Sequence, residues 1–283
     1  MELLPFVFCE SVIATFQKPS AVAEPLSSPV WQVAIDKNVN NRFNVYIFIA
    51  YHNETWSYRI NNGLTIADLG RVRRKYLRVG AIHLESFQRR NNSTFEEILL
   101  LVQLTAPYMS MSTLAFTGIC NFPQDRLLQL LSFIRNSSIF EIYVNGDIEP
   151  VRSSVKDILN FKTLQNATFY NANFSASFRD EIEELALTKS LELLAFEPLN
   201  LKFNLTFFEK LFAKPNTLLR KRFTLRSFFD FQLIDLRDFK KELQINESTD
   251  SMIKWKRADG IVIQIKISLW GTLAIELEPA EML

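Results

Sequence analysis

The sequence contains little of what enzymes commonly use for chemistry. It has only two histidines, two cysteines and seven glycines in 283 residues. Cys9 and Cys120 fit no metal-binding or redox spacing, and the glycines form neither a G-x-G-x-x-G fingerprint nor a phosphate-binding P-loop. His52 and His83 stand near no cysteine or serine at motif spacing, so we expect both to be structural. These features predict a protein that is not an enzyme and that uses no cofactor and no metal.

The sequence also lacks a strong charge bias and a long apolar run. The formal net charge is +1, so no global field favours nucleic acid. No apolar run reaches the ~18 residues that span a bilayer, and the first residues lack the basic region of a signal peptide. We therefore expect no nucleic-acid partner, no membrane partner and a cytoplasmic or nuclear location. In that setting we expect Cys9 and Cys120 to be buried thiols, with one disulfide as the alternative.

The sequence does contain a recurring strand pattern. This pattern is rich in phenylalanine, and the whole chain has 25 phenylalanines. Its copies are Thr113–Gly118, Glu141–Gly146, Asn166–Asn171, Leu193–Pro198 and Arg222–Ser227. Their fourth positions, Phe116, Val144, Phe169, Phe196 and Leu225, are separated by 28, 25, 27 and 29 residues. This period suits one strand and one short helix per unit, as in leucine-rich repeats. The alternative is an irregular α/β domain without true repeats.

Amphipathic helical segments lie between these strands. Ser93 and Glu96 are spaced as a capping box before an apolar helical face. Later helix starts are marked by Asn121 together with Pro123, by Pro150 and by Asn204. A further apolar helical face is formed by Phe178, Ile182 and Leu185. Alternation of strands and helices predicts parallel strands joined by right-handed crossovers.

Different patterns flank the repeats. Phe6, Cys9, Ile13 and Phe16 share one helical face, and Ser27-Ser28-Pro29 opens a second helix. Residues 43–60 alternate as a β-hairpin with its turn at 52–55. After a helix predicted over 235–245, residues 251–277 form an antiparallel meander with a turn at Asp259-Gly260, which we expect to cap the end of the repeats.

A basic run, Arg71, Arg73, Arg74, Lys75 and Arg78, follows the hairpin. It is more typical of a solvated connector, with contact to phosphate or to an acidic partner as the alternative reading. The whole pattern predicts four segments: 1–40 is a helical segment, and 41–80 contains the hairpin and basic connector. Residues 81–245 form an irregular leucine-rich-repeat-like α/β solenoid, and 246–283 form the β meander cap.

The opening residues carry a family resemblance. The phrase Leu-Leu-Pro-Phe-Val-Phe-Cys-Glu-Ser-Val-Ile at 3–13, with Leu-Ser-Ser-Pro-Val-Trp at 26–31, resembles the expanded nematode F-box-like protein family. An F-box usually starts with Leu-Pro, continues with an apolar helix and ends near a Trp. Leu4, Pro5, Val12, Ile13 and Trp31 match those positions. The middle helix departs from the pattern, because three prolines interrupt a shortened segment.

The resemblance implies a function in ubiquitin ligation. Such a chain is a substrate receptor of a cullin-type ubiquitin ligase, whose F-box binds a Skp1-like adaptor and whose repeats bind an unknown protein substrate. The expected adaptor-binding residues are Leu4, Pro5, Phe6, Phe8, Val12, Ile13 and Trp31. The alternatives are a scaffolding repeat protein with a degenerate F-box that no longer binds the adaptor and, less favoured, an enzyme.

Overall fold

The chain folds into two compact units of α/β structure in this computed structural model. The first comprises Met1–Ala115 and Asn121–Phe140, and the second comprises Phe116–Cys120 and Glu141–Leu283. The structure describes residues 6–15, 28–86, 92–135, 137–147, 149–171, 173–198, 200–214, 222–236, 244–248, 251–267 and 272–278. None of the helices in these ranges combines the length and apolar character needed to cross a bilayer.

The first unit combines helices with a four-stranded arrangement ordered β2-β1-β3-β4. β4 continues for two residues into the second unit. Its elements are α1 (Phe6–Thr15), α2 (Pro29–Asn41), β1 (Phe43–His52), β2 (Thr55–Ile60), α3 (Ile66–Arg71), β3 (Leu77–Glu85), α4 (Phe95–Thr105), β4 (Ser110–Thr117) and α5 (Gln124–Ile134). The predicted N-terminal helices and hairpin are confirmed. In the hairpin turn, Asn53 and Glu54 both have positive φ, as a type I′ turn requires.

The second unit is ordered β5-β6-β7-β8-β12-β11-β10-β9. Its elements are β5 (Ser138–Asn145, of which 141–145 lie in this unit), α6 (Arg152–Leu159), β6 (Asn166–Tyr170), α7 (Ala176–Thr188), β7 (Leu193–Glu197), α8 (Leu205–Phe212), β8 (Phe223–Ser227), β9 (Gln244–Ser248), β10 (Met252–Lys256), β11 (Val262–Ile267) and β12 (Leu273–Glu278). Strands β5 to β8 pair in parallel, and β8 pairs antiparallel with β12. The α/β class, the parallel strands and the antiparallel C-terminal strands are confirmed.

The register of the repeats differs from the predicted one at its last strand. Val144 pairs with Phe169, and Phe169 pairs with Phe196, as the pattern predicts. Phe196 then pairs with Ser227 instead of Leu225, which pairs with Leu194. Because side chains alternate along a strand, this two-residue slip keeps Leu225 on the buried face. The apolar pattern alone therefore does not distinguish the two registers.

Some predicted helix starts and turns are also corrected. The capping box before α4 uses Thr94 and Glu97, because Ser93 donates its amide to the Trp56 carbonyl at 2.8 Å. Pro123 occupies the cap of α5 without a side-chain hydrogen bond, in place of Asn121. The Asn204 cap is confirmed, since its Oδ1 accepts from Phe207 N at 2.9 Å. The turn at Asp259-Gly260 belongs to a five-residue loop, since Lys256 pairs with Val262.

The predicted helix over 235–245 is not a single element in the structure. A short 3-10 helix covers Leu233–Leu236, and β9 starts at Gln244. Residues 237–243 lie outside the described residues. The start of β9 adds one strand to the predicted meander, because β9 pairs antiparallel with β10.

A continuous series of aromatic contacts forms the core of the second unit. It follows the rings of Phe169, Phe174, Phe196, Phe203, Phe229, Phe231, Phe208, Phe212 and Trp255, with successive centroids 5.1 to 6.1 Å apart. We call this series the aromatic spine. Its members come from β6, β7, α8, β10 and the loops that connect them. From β6 onward, neighbouring strand–helix units are therefore packed against one another through large apolar rings.

Cations from later segments cap the C-termini of earlier helices in the same unit. Lys189 Nζ donates to Asn160 O, at the end of α6, at 3.0 Å. Lys214 Nζ donates to Ala186 O and Lys189 O, at the end of α7, at 2.7 and 2.8 Å. Arg257 Nη1 donates to Phe212 O and Lys214 O, after α8, at 2.8 and 2.7 Å. We call these five hydrogen bonds from three cations the cap ladder; they satisfy carbonyls that a helix leaves unpaired.

Phe203→Ala should destabilise the second unit by about 3–5 kcal/mol, the range for deleting a buried aromatic ring. Phe203 is 1% exposed, and its ring lies 4.4 Å from that of Phe207 and 5.4 Å from that of Phe196. Equilibrium urea unfolding followed by circular dichroism measures the loss. Leu205→Ala, which changes a side chain that is 39% exposed, is the control and should cost under about 1 kcal/mol. Equal effects of the two substitutions would contradict the role given to the spine.

Lys214 should make stability depend on pH. Its side chain is 1% exposed, and burial lowers the pKa of its ammonium group to about 8. An unfolded lysine has a pKa of about 10.4, so the unfolded chain binds more protons between about pH 8 and 10. The free energy of unfolding contributed by Lys214 therefore rises with pH across that window.

Urea unfolding at pH 7.5 and 9.5 tests this expectation. The difference in unfolding free energy between wild type and Lys214→Met should grow at the higher pH. Lys202→Met, which removes an exposed lysine, is the control. If the difference in unfolding free energy between wild type and Lys214→Met stays constant or shrinks as pH rises, the buried ammonium does not titrate in this way.

Candidate binding surfaces

The N-terminal helices α1 and α2 hold each other through their own apolar cluster. Its fully or nearly buried members are Cys9, Ile13, Trp31, Ala34 and Ile35. Pro29 lies in the first turn of α2, and the Ser28 carbonyl accepts from Trp31 N at 3.0 Å. A proline fits there because its missing N–H would have no partner in the helix. The two helices therefore form a helical pair with a core inside the first unit.

The structure describes five of the seven predicted adaptor-binding residues, and these five fall into three groups. Leu4 and Pro5 lie outside the described residues. Ile13 and Trp31 are 0% and 7% exposed, so their side chains pack in the interior of the helical pair. Phe6 and Val12 pack partly against that cluster. Phe8 is 49% exposed, and its ring lies edge-to-face on Trp31 with centroids 6.4 Å apart.

A buried carboxylate fixes the helical pair in place. Glu10 is 7% exposed, and its Oε1 accepts from Tyr76 Oη at 2.6 Å. Lys37 Nζ on α2 lies 3.3 Å from the same oxygen, and 4.9 Å from the centroid of the Phe6 ring. A buried charge is tolerated when it is paired and hydrogen-bonded, so Glu10 ties α1 to α2 and to the segment before β3. Sequence reasoning missed this residue, although an acidic residue directly beside a predicted apolar face was a signal for it.

A second surface lies on the side of β5 to β8 that faces away from their helices. Phe169 and Phe196 contact Phe178 of α7, which identifies the helix-covered side. Alternation then places the neighbouring residues on the opposite side. Those residues are Glu141, Tyr143, Asn145, Asn166, Thr168, Tyr170, Leu193, Ala195, Glu197, Thr224 and Arg226. We call this surface the tyrosine face; all of its members except Thr168 and Ala195 are partly exposed.

Tyr143 and Tyr170 form the aromatic centre of this face, with ring centroids 5.8 Å apart. Arg226, two strands away from Tyr170, pairs in register with Ala195 on the intervening strand. The Arg226 guanidinium interacts electrostatically with the Tyr170 hydroxyl across the short side chain of Ala195. Rings with polar tips beside a guanidinium are common in protein interfaces.

The ionisable groups of the tyrosine face influence one another. Burial raises the pKa of the Tyr170 hydroxyl, the Glu197 carboxylate raises it further, and the Arg226 charge opposes both. Burial likewise raises the pKa of Glu197, and Arg226 opposes that change. The positive charge of Arg226 therefore opposes the effect of partial burial on two neighbouring groups, the Tyr170 phenol and the Glu197 carboxylate.

Further along the same side of the sheet, Glu276 of β12 is shared between two cations. It pairs in register with Thr224, and it is 6% exposed. Lys266 Nζ lies 2.5 Å from its Oε1, and Arg222 binds its Oε2. Arg222 Nε also lies 3.0 Å from Glu278 Oε1. This cluster extends the polar character of the tyrosine face onto the antiparallel strands.

The predicted structural histidines have local partners. His52 Nδ1 lies 3.2 Å from the Ser86 carbonyl oxygen, and the His83 ring stacks on Phe48 with centroids 4.6 Å apart. Within the described ranges, no group of three His, Cys, Asp or Glu side chains is arranged to hold a metal ion.

The comparisons with known proteins do not assign a family. No protein-family model matches the chain, and no curated protein matches its sequence.

Arg226→Met should raise the pKa of Tyr170 and of Glu197 still further, because it removes the one group that stabilises both anions. A pH titration by NMR of the ¹³Cζ-labelled tyrosines measures the Tyr170 value, with Tyr170→Phe used for assignment. Arg179→Met, on the helix-covered side, is the matched control. A Tyr170 pKa that is unchanged or lower in Arg226→Met would mean that the guanidinium does not govern this surface.

Proposed function

We propose that the chain is a non-catalytic protein-binding module, an F-box-like substrate receptor of a cullin-type ubiquitin ligase. The helical pair α1–α2 binds a Skp1-like adaptor, and the tyrosine face binds the protein substrate. The observation that carries this proposal is the helical pair itself. It has its own core, yet it leaves Phe8 exposed beside Trp31.

Phe8 has the properties of an interface anchor. It is 49% exposed, while its neighbour in the sequence, Cys9, is 0% exposed. The edge contact with Trp31 limits the positions of the ring, so less conformational entropy is lost when a partner covers it. Large aromatic side chains that enter a partner's pocket contribute most of the energy in many interfaces. Val33 and Val39 of α2, 56% and 47% exposed, add apolar surface to the pair.

The finer fold class belongs to the same proposal. We interpret the alternation from β5 to β8 as an irregular leucine-rich-repeat-like solenoid, closed by the C-terminal antiparallel strands. Support comes from parallel strands in register and from the cap ladder, in which three successive helices each receive a cation from a later segment. Each repeat in a solenoid contacts its neighbours, and its strand side is a broad binding surface.

The alternative function is a scaffolding repeat protein with a degenerate F-box. A specific observation favours it: Ile13 and Trp31 already have their apolar partners inside the chain. If adaptor binding needs those two side chains, the helical pair would have to open first. The proposal and its alternative therefore differ on whether Phe8 and its surroundings suffice for binding.

Binding of the full chain to a purified Skp1-like adaptor, measured by titration calorimetry, tests the proposal. Wild type should bind, and Phe8→Asp should weaken binding by about 30-fold or more, the effect of losing a hot spot worth ~2 kcal/mol. Ile13→Asp is a poor test, because a buried charge would unfold the pair. Phe8→Asp should keep the far-ultraviolet circular dichroism of wild type.

Leu205→Asp, which places the same charge at an exposed apolar position of α8, is the matched control and should bind like wild type. Absence of wild-type binding would reject the receptor function and favour the scaffold. Equal binding by wild type and Phe8→Asp would reject Phe8 as the anchor.

A further inference from the structure

A partly apolar groove lies in the first unit, between α4 and the segment that joins α3 to β3. It has a volume of about 180 Å³ and is lined by Leu69, Gly70, Val72, Arg74, Leu77, Gln103, Leu104, Pro107 and Tyr108. We call it the α4 groove. Leu69 and Leu77 are buried, whereas Leu104 is 38% exposed at its edge. Leu100, one turn earlier on α4 and 46% exposed, extends the apolar surface along the helix.

The rim of this groove is basic. Arg74 is the one charged residue in the lining, and Arg73 lies beside it in the chain. Both are exposed, and neither has an ion pair with a described residue. Arg71, by contrast, is paired with Asp68, since its Nη1 lies 3.8 Å from Asp68 Oδ1. Of these three arginines, Arg73 and Arg74 are therefore the two whose positive charge is not paired with a described carboxylate.

The size of the groove limits its occupant. An apolar cavity of ~150 Å³ accommodates a benzene ring, whereas sites for drug-sized ligands are ~300–1,000 Å³. A space of about 180 Å³ thus fits one large apolar side chain. The neighbouring Gln103 and Tyr108 can hydrogen-bond to the backbone that carries such a side chain.

From this combination we infer that the α4 groove binds an anionic peptide segment, with one apolar anchor side chain flanked by carboxylates. The anchor enters between Leu69, Leu77 and Leu104, and the carboxylates pair with Arg73 and Arg74. Charge complementarity selects the peptide, because an apolar pocket with a cationic rim matches an acidic sequence that contains a Leu or an aromatic residue. The lining of this site includes neither Phe8 nor any residue of the tyrosine face.

Selection from a phage-displayed library of random 12-residue peptides, on the immobilised full chain, tests the inference. Enriched peptides should share a Leu or aromatic residue flanked by Asp or Glu. Synthetic fluorescein-labelled copies should bind the chain with an affinity that falls as salt is raised. Arg73→Glu/Arg74→Glu and Leu104→Gln should each weaken binding at least 10-fold, while Phe8→Asp should leave it unchanged.

Two variants of the second unit are matched controls. Lys202→Glu reverses an exposed charge, and Leu205→Gln replaces a leucine that is 39% exposed, close to the 38% of Leu104. Both should bind the peptides like wild type. The inference is overturned if no peptide is enriched, if the enriched peptides lack acidic residues, or if they bind the groove variants and wild type equally. Tighter binding of a fluorescein-labelled dT12 oligonucleotide at the same arginines would also overturn it.

Discussion

The aromatic spine is the constraint on which the second unit depends. Short helices such as α6 and α8, with eight residues each, are marginal in water because few backbone hydrogen bonds offset the cost of nucleation. In α8, the buried rings of Phe207 and Phe208 pack on those of Phe203 and Phe231, and this packing stabilises the helix beyond what its backbone hydrogen bonds supply. The spine also continues to Trp255 on β10, so the antiparallel strands share the core of the parallel ones. The high phenylalanine content thus has a structural cause.

The cap ladder is the polar counterpart of the spine. Packing helices side by side brings their C-terminal carbonyls into a region with little water, where an unpaired carbonyl is costly. Lys214 and Arg257 satisfy these groups with side chains that arrive from later segments. The cost is a buried ammonium, visible in the low pKa of Lys214. The apolar rings therefore set the distance between successive strand–helix pairs. The cations hydrogen-bond to the helix carbonyls that become buried at this distance.

Local patterns in the sequence predicted most elements, because hydrophobic period and capping residues act over a few positions. Where two helix caps or two strand registers fit the sequence equally well, the sequence did not predict which one forms. Ser93 and Thr94 can both cap α4, and the pairing of Ser93 with Trp56 across the fold decides between them. Likewise, two registers of β8 bury the same apolar side chains, and the sequence does not distinguish them.

The candidate surfaces show the same limit. The sequence prediction placed Phe8 and Ile13 together in the adaptor-binding set, whereas the structure exposes Phe8 and buries Ile13. The repeats were expected to bind the substrate, but the interaction of Tyr170 on β6 with Arg226 on β8 was not predicted, because it crosses the intervening strand β7. The α4 groove was missed for a related reason. In the sequence, the basic run has the character of an ordinary connector. The structure shows that Arg74 of this run and Leu104 of α4 line the same groove.

The division of the residues that were predicted to bind an adaptor limits the kind of contact that the proposed function can use. If Ile13 and Trp31 had been exposed, the pair would need a partner in order to fold. Because they are buried, the helical pair has a core of its own, and Glu10 fixes it through Tyr76 and Lys37. A preformed surface loses less entropy on association than a segment that folds on binding. A binding function for this pair must therefore act through Phe8 and the other exposed side chains, with the matching residues Ile13 and Trp31 acting as supports for that surface.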